Sequence, residues 1–346
     1  MSSLPLLAAV EGGGTSFVLT IAELAPSSDD SSTIPHTQFR IIQTTTVKTT
    51  TPEDTIAKSA EFFTSYRPTN SSYDALGICT FGPVGVNPLN RETYGKILPG
   101  SPKKEWRNVD ILTPILNACS LGEKTPSYKI DTDVNAPAMA EFGYRTKILK
   151  EDISSLAYVT VGTGIGVGLV INSLPVHGMM HPEGGHVPIV PLQSDDNFEG
   201  YSWGAKSPYK GKNTVEGTAS SVALTERLGS SSSSEERDAL KNLSDEHPLW
   251  DHASNALANL CCTLVLMTSV EKIIFGGGVM NRTILFEKMR SRTNELLNGY
   301  LDLEQLTTVD GLNNYIGPSV WKESEGYGAG LVGALTLAQI AYEENH

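Results

Sequence analysis

The chain has 346 residues, which suits two domains or one two-lobed unit, and 39% hydrophobic against 19% charged residues supports a sizeable core and excludes global disorder. With 26 Lys+Arg against 39 Asp+Glu the formal charge is −13, a field that disfavours nucleic acid as a partner. No apolar run approaches the ~20 residues of a membrane span, and the opening Met-Ser-Ser-Leu-Pro lacks the basic region of a signal peptide, so a cytoplasmic protein is expected.

Leu6–Leu24 reads as a β-hairpin: the run LLAAV, the turn Glu11-Gly12-Gly13-Gly14-Thr15, and the apolar Phe17–Ile21. Ala25–Pro35, rich in Ser, Asp and Pro, reads as a surface loop. Phe39–Thr50 suits a strand. Pro52–Tyr66 suits a helix, with Thr51 as N-cap and Pro52 at the first helical position. Tyr73–Phe81 reads as a buried strand ending at Gly82-Pro83-Val84-Gly85. Lys129–Asp131 starts a short strand, and a polar cluster separates it from the helical stretch Ala136–Tyr144.

A second strand–glycine–strand unit follows. Leu156–Val161 enters Gly162-Thr163-Gly164-Ile165-Gly166-Val167-Gly168 and continues as Leu169–Ile171. Two such hairpins in one chain predict a duplicated architecture. Gln193–Lys212 is polar and irregular, Thr218–Leu228 can be helical, and Ser230–Ser234 is low complexity. Trp250–Met267 carries apolar residues at helical spacing. Glu271–Phe275 reads as a strand entering Gly276-Gly277-Gly278, Thr283–Leu297 as an amphipathic helix, and Gly328–Tyr342 as a closely packing, small-residue helix. Cys79, Cys119, Cys261 and Cys262 show no C-x-x-C spacing and read as buried core residues in a reducing compartment.

The glycines limit the phosphate chemistry. No G-x-x-x-x-G-K-[ST] is present. From Gly162 the glycines recur every second residue, a strand period, so this turn leads into β structure and not into the helix of a dinucleotide fold. Turns of this kind still let backbone N–H groups approach phosphate oxygens, with Thr15 and Thr163 adding hydroxyls. Each turn taken alone is equally well read as a tight hairpin. Asp131, Asp133 and Asn135 likewise suit either a helix cap or catalysis.

In chain order the segments EGGGTSF (Glu11–Phe17), FGPV (Phe81–Val84), YGKI (Tyr94–Ile97) with Ser101-Pro102-Lys103 and Trp106, and DTDVNA (Asp131–Ala136) are followed by five more. These are TVGTGIGVG (Thr160–Gly168), HPEGGH (His181–His186), DNFEG (Asp196–Gly200), Val215-Glu216-Gly217 and FGGGVM (Phe275–Met280). Together they resemble sugar kinases of the ROK family (repressors, open reading frames and kinases), most of all the fructokinase branch. The resemblance implies an α/β, two-lobed actin/hexokinase-like fold, a duplicated ribonuclease H-like architecture with an interlobe cleft. Residues 1–133 would form the N-terminal lobe and 134–346 the C-terminal lobe, with the helix at about 328–342 able to pack back on the first lobe.

It further implies ATP with Mg²⁺, and a homodimer. Gly13, Gly14 and Thr15 would hold phosphates from one lobe and Gly162, Thr163 and Gly164 from the other, with Gly277 and Gly278 near the base. Asp133 matches the family's general base. Glu183, His186 and Glu216 match residues that bind sugar hydroxyls. Asn135, Gly82, Pro83 and Tyr94 would also flank the sugar, with Gly95 beside them, while His181 is open between a structural and a sugar-side role. Fructose phosphorylation at the 6-hydroxyl is therefore expected. The alternatives are a kinase for mannose, glucose or an N-acetylhexosamine and, in other classes, a sugar sensor or a transcriptional regulator. Only ten residues precede Glu11, too few for a DNA-binding domain.

The chain departs from the family pattern twice. Ser207, Lys210 and Thr214 occupy positions where relatives carry zinc-binding Cys, His and Cys, and these side chains cannot make a thiolate/imidazole site, so no zinc is expected. Ser16 stands where many relatives have lysine, removing a positive charge beside the first glycine turn.

Overall fold

The computed structural model describes residues 4–25, 33–68, 70–193, 198–202, 207–229, 240–322, 324 and 326–346. Residues 26–32 of the expected loop, Asp196 and Asn197 of the DNFEG segment, Trp203 and the serine run lie outside the described residues. The chain divides into two units: Met1–Asp152 with Leu174–His181 and Val320–His346, and Ile153–Ser173 with Pro182–Ser319. The first break thus falls at Asp152, later than the position 133 read from the sequence.

In the first unit, β1 (Leu6–Gly12) and β2 (Ser16–Leu24) form the expected antiparallel hairpin. β3 (Phe39–Lys48) extends it, α1 (Pro52–Tyr66) follows, and β4 (Ala75–Thr80) pairs parallel to β1. The Thr51 hydroxyl accepts the Asp54 N–H at 3.3 Å, so the α1 cap is the one the sequence specifies. α2 (Leu112–Cys119) has no counterpart in the sequence reading. β5 (Ser127–Thr132) pairs parallel to β4, and α3 (Asn135–Gly143) leaves its end. The sheet order is β3-β2-β1-β4-β5.

The C-terminal helix (Ala329–Glu343) packs on β1, β4, β5 and α3. Its small residues make this possible. A Cβ on Gly77 of β4 would collide with the backbone of Ala334 and Ala338. Trp106, 2% exposed, sits between Phe17 and Phe81 at ring-centroid distances of 5.5 and 5.4 Å. It ties the 101–106 segment to the base of the first hairpin.

The second unit repeats the plan. β6 (Leu156–Val161) and β7 (Ile165–Ile171) form a hairpin, and the two-residue β8 (Leu174–Pro175) follows in the chain. β9 (Ile273–Gly276) lies parallel to β6, and β10 (Ile316–Pro318) parallel to β9. The order β7-β6-β9-β10 matches β2-β1-β4-β5. The second glycine turn is shorter than the run of glycines: Gly166 and Gly168 already pair with Thr160 and Tyr158. α4 (Val215–Ala219), α5 (Ser221–Arg227), α6 (Leu249–Thr268) and α7 (Ile284–Leu297) complete this unit's main helices. No described helix is long and apolar enough to cross a membrane.

Candidate active site

Register at the carboxyl end of the first sheet sets out half of the candidates. Gly12 of β1 pairs with Thr80 of β4, and Thr80 with Thr132 of β5. The Phe81 N–H donates to Gly12 O at 2.8 Å, and the Asp133 N–H to Thr80 O at 2.9 Å. The Gly13-Gly14-Thr15 turn, the Gly82-Pro83 turn and Asp133 therefore leave the sheet at one end. Ligands of α/β sheets bind outside this end of the parallel strands. β1 and β5 are two strand spacings apart, roughly 10 Å. Gly14 and Thr15 are exposed, and Asp133 is half-buried.

Asp131 is no free carboxylate. Its Oδ1 accepts from the Thr132 N–H at 2.7 Å and from Asn135 Nδ2 at 3.0 Å. Its Oδ2 lies 2.8 Å from His177 Nε2. The Asn135 N–H that opens α3 is received by the Thr132 hydroxyl at 2.9 Å. Capping of this amide therefore falls to Thr132, not to the Asp131 or Asp133 that the sequence offered. Tyr94 hooks onto the same region through a bridge to Gly85. Burial, with Tyr128 and Asp131 nearby, pushes its phenol up to about 12, so it carries its proton at neutral pH. His181 Nε2 receives the Val84 N–H at 3.2 Å, and its ring lies against Gly82. That is a structural role at the Gly82-Pro83 turn.

In the second unit Thr160 pairs with Gly276, so the Gly162 turn and Gly277-Gly278 leave the sheet together. Gly277, at φ +89°, presses so closely on the Val161 backbone that no side chain fits. Gly162, Thr163 and Gly278 line one cavity of about 590 Å³, with Ser221, Leu224, Trp250 and Arg282. Among the described residues other than their chain neighbours, none lies within 4 Å of a Cβ placed on Gly162 or Gly278, so the backbone there is open to a ligand. The Ser221 N–H donates to Gly162 O at 2.8 Å, pinning the turn to the start of α5. The Arg282 guanidinium lies 4.5 Å over the Trp250 ring and pairs with Asp245. Volume and lining fit a nucleoside portion. Gly164 and Gly277 do not line this cavity.

Glu183, His186 and Glu216 come together in this unit. His186 Nε2 is 3.9 Å from Glu183, and its Nδ1 is 3.9 Å from Glu216 Oε1. Glu216 Oε2 accepts the Ile165 N–H at 2.8 Å and backs Gly164. The carboxylate thus braces the second glycine turn as well as facing His186. Burial raises its pKa above 4.5, opposed by the Ile165 N–H and His186 and reinforced by Glu183.

At the positions of the missing zinc ligands the Thr214 hydroxyl accepts the Gly217 N–H at 3.1 Å and donates to Gly211 O at 3.1 Å. It caps α4. Asn213 N–H to Glu199 O at 2.7 Å and Tyr201 N–H to Gly217 O at 2.8 Å close the loop. No group of three or more metal-ligating side chains occurs among the described residues.

Sequence reasoning missed His177, Ser221, Trp250 and Arg282. Each reaches its partner from a distant segment, and none carried a local pattern.

Residues 7–341 match the family model described as ROK family. The chain belongs to the ROK family. It is 31% identical over 336 residues to the fructokinase of Zymomonas mobilis, covering 96% of each chain. Among solved structures it resembles the ROK hexokinase of Thermus thermophilus at a TM-score of 0.68 and 19% identity, covering 98% of this chain and 99% of that one. A ROK glucokinase of Streptomyces griseus, solved with glucose and AMPPNP, gives 0.63 at 18% identity over 97% of this ROK chain and 99% of its own. The actin/hexokinase-like fold expected from the sequence is therefore the fold of this ROK protein, duplicated sheets included.

Proposed function

We propose that this ROK-family sugar phosphotransferase moves the γ-phosphoryl group of ATP to the 6-hydroxyl of D-fructose, with Asp133 as general base. The observation that carries the mechanism is the register of β1, β4 and β5, which sends the Gly13–Thr15 turn, exposed at Gly14 and Thr15, and Asp133 out of one sheet end. Phosphoryl transfer asks little covalent chemistry of a protein. It needs an aligned hydroxyl, compensated phosphate charge and a proton acceptor. The sugar oxygen forms its bond to the γ-phosphorus as the bond to the β,γ-bridging oxygen breaks. Asp133 takes the hydroxyl proton, and ADP leaves.

Turn 13–15 supplies N–H groups and the Thr15 hydroxyl to phosphates, and turn 162–164 has the same backbone character and the Thr163 hydroxyl. The cavity at Gly162, Thr163 and Gly278 receives the nucleoside. Mg²⁺ bound with ATP would neutralise phosphate charge. Tyr94 and the Gly82-Pro83 turn flank the sugar, while Asn135, wholly buried, acts behind them by holding Asp131. Glu183, His186 and Glu216 offer carboxylate and imidazole partners, which suit a polyol with many donors and acceptors. Relatives named fructokinase, about 31% identical along the chain, support fructose as the acceptor.

The test is ADP release with Mg-ATP and fructose, mannose, glucose, N-acetylmannosamine or no sugar, with Asp133→Asn in parallel. Fructose-dependent turnover that vanishes in the variant is expected. Folded protein whose ADP release no sugar stimulates would overturn the proposal, and a stronger response to another hexose would reassign the acceptor.

A further inference from the structure

The first glycine turn, Glu11–Phe17, contains no Lys or Arg, and the fold brings a cation to it from another segment. Lys103 Cε lies 3.3 Å, and its Nζ 4.0 Å, from where a Cβ on Gly14 would be. The ammonium stands over the Phe81 ring, 5.7 Å from its centroid. Phe81 is itself bonded to Gly12 O at the base of the turn. The backbone that carries Lys103 is fixed. Its N–H donates to the buried Ser101 hydroxyl at 3.3 Å, and Arg107 Nε donates to Ser101 O at 2.8 Å. Three residues on, Trp106 is wedged between Phe17 and Phe81 and donates its indole N–H to Thr50 O at 3.2 Å. No acidic side chain among the described residues is paired with Lys103.

A lysine placed against exposed turn backbone, in a chain of charge −13 and with no carboxylate on it, is arranged for an anion from outside. We infer that Lys103 is a phosphate-binding residue, its ammonium compensating the terminal phosphates of ATP at the Gly13–Thr15 turn. The inference rests on the reading of that turn as a phosphate site. A Lys ammonium suits the task as a point charge on a flexible stem. Lys48, the cross-strand neighbour of Ser16, is the nearest alternative cation by register and serves as the control.

The test compares wild type, Lys103→Met, Lys103→Arg, Lys48→Ala and the double variant Lys103→Met with Ser16→Lys. Calorimetry gives Kd for a non-hydrolysable ATP analogue and for AMP, and steady-state assays give turnover with ATP. Lys103→Met is expected to weaken the ATP analogue about tenfold and AMP less than about twofold. Lys103→Arg and the double variant should recover most of the loss, and Lys48→Ala should match wild type. Equal weakening of ATP and AMP without recovery by Arg or by Ser16→Lys would mean a packing role and overturn the inference. So would wild-type affinities in Lys103→Met, or a loss confined to Lys48→Ala. Wild type that binds no ATP analogue would instead remove the phosphate reading of the turn itself.

Discussion

Asp133 is held at its backbone where the chain leaves β5. Its N–H is fixed on Thr80 O, one residue beyond the last paired residue of β5. Replacing it by Asn keeps the size and removes the proton acceptor. Asp133→Asn is expected to lower kcat by about 10²–10⁴-fold, with the far-UV circular dichroism unchanged. Glu216 behaves differently, because its carboxylate is buried on the Ile165 N–H. Its folded pKa is raised, so the folded state holds a proton that the unfolded chain has released. The stabilising contribution is fully present below about pH 4.5 and is lost as pH rises through the raised folded value. Gln keeps an oxygen for the Ile165 N–H and does not titrate. Thermal unfolding between pH 4 and about 7 is therefore expected to show a flatter Tm profile for Glu216→Gln than for wild type. Parallel profiles would remove the titration from Glu216.

Elements were legible where the signal was local. Thr51-Pro52 announces α1, and the capping bond is the one that pattern specifies. The two hairpins announce themselves by apolar runs around glycine. α2 is hard to read in the sequence because its start carries no side-chain cap at Ile111. The usable signal was Asp110, whose Oδ1 accepts the Thr113 N–H at 2.9 Å, followed by Pro114 in the first turn. The C-terminal helix shows how small residues act at this scale. They mark close packing, but what it covers is set by distant contacts: Gly77 of β4 against Ala334 and Ala338, Gly330 against Glu11 of β1, and Gly333 against Ala136 and Pro137 of α3. Gly77→Ala places a methyl group on the Ala334 carbonyl and is expected to cost about 3 kcal/mol, read from the urea midpoint at constant m. Destabilisation of less than about 0.5 kcal/mol would mean that the helix moves away cheaply.

For the whole molecule, the duplicated plan places two glycine turns at the carboxyl ends of two equivalent sheets. The loop at Ser207–Glu216 is held by Thr214 and backbone bonds, with no group of three or more metal-ligating side chains among the described residues. EDTA is therefore expected to shift Tm by less than about 1 °C, with metal analysis finding well under one zinc per chain. Stoichiometric zinc would show that ligands come from residues other than Ser207, Lys210 and Thr214. The sequence by itself determined the family, the two hairpins, Asp133 as the carboxylate after β5, and the loss of the zinc donors. These are properties of residue type and spacing along the chain. Tertiary structure alone decided that Asp131 is spent on Asn135 and His177, that Glu216 braces the second turn, and that Lys103 returns a charge beside Gly14. Each of these depends on which distant segment packs against the sheet end, and packing is set by the shape and burial of the whole unit, which no local spacing encodes.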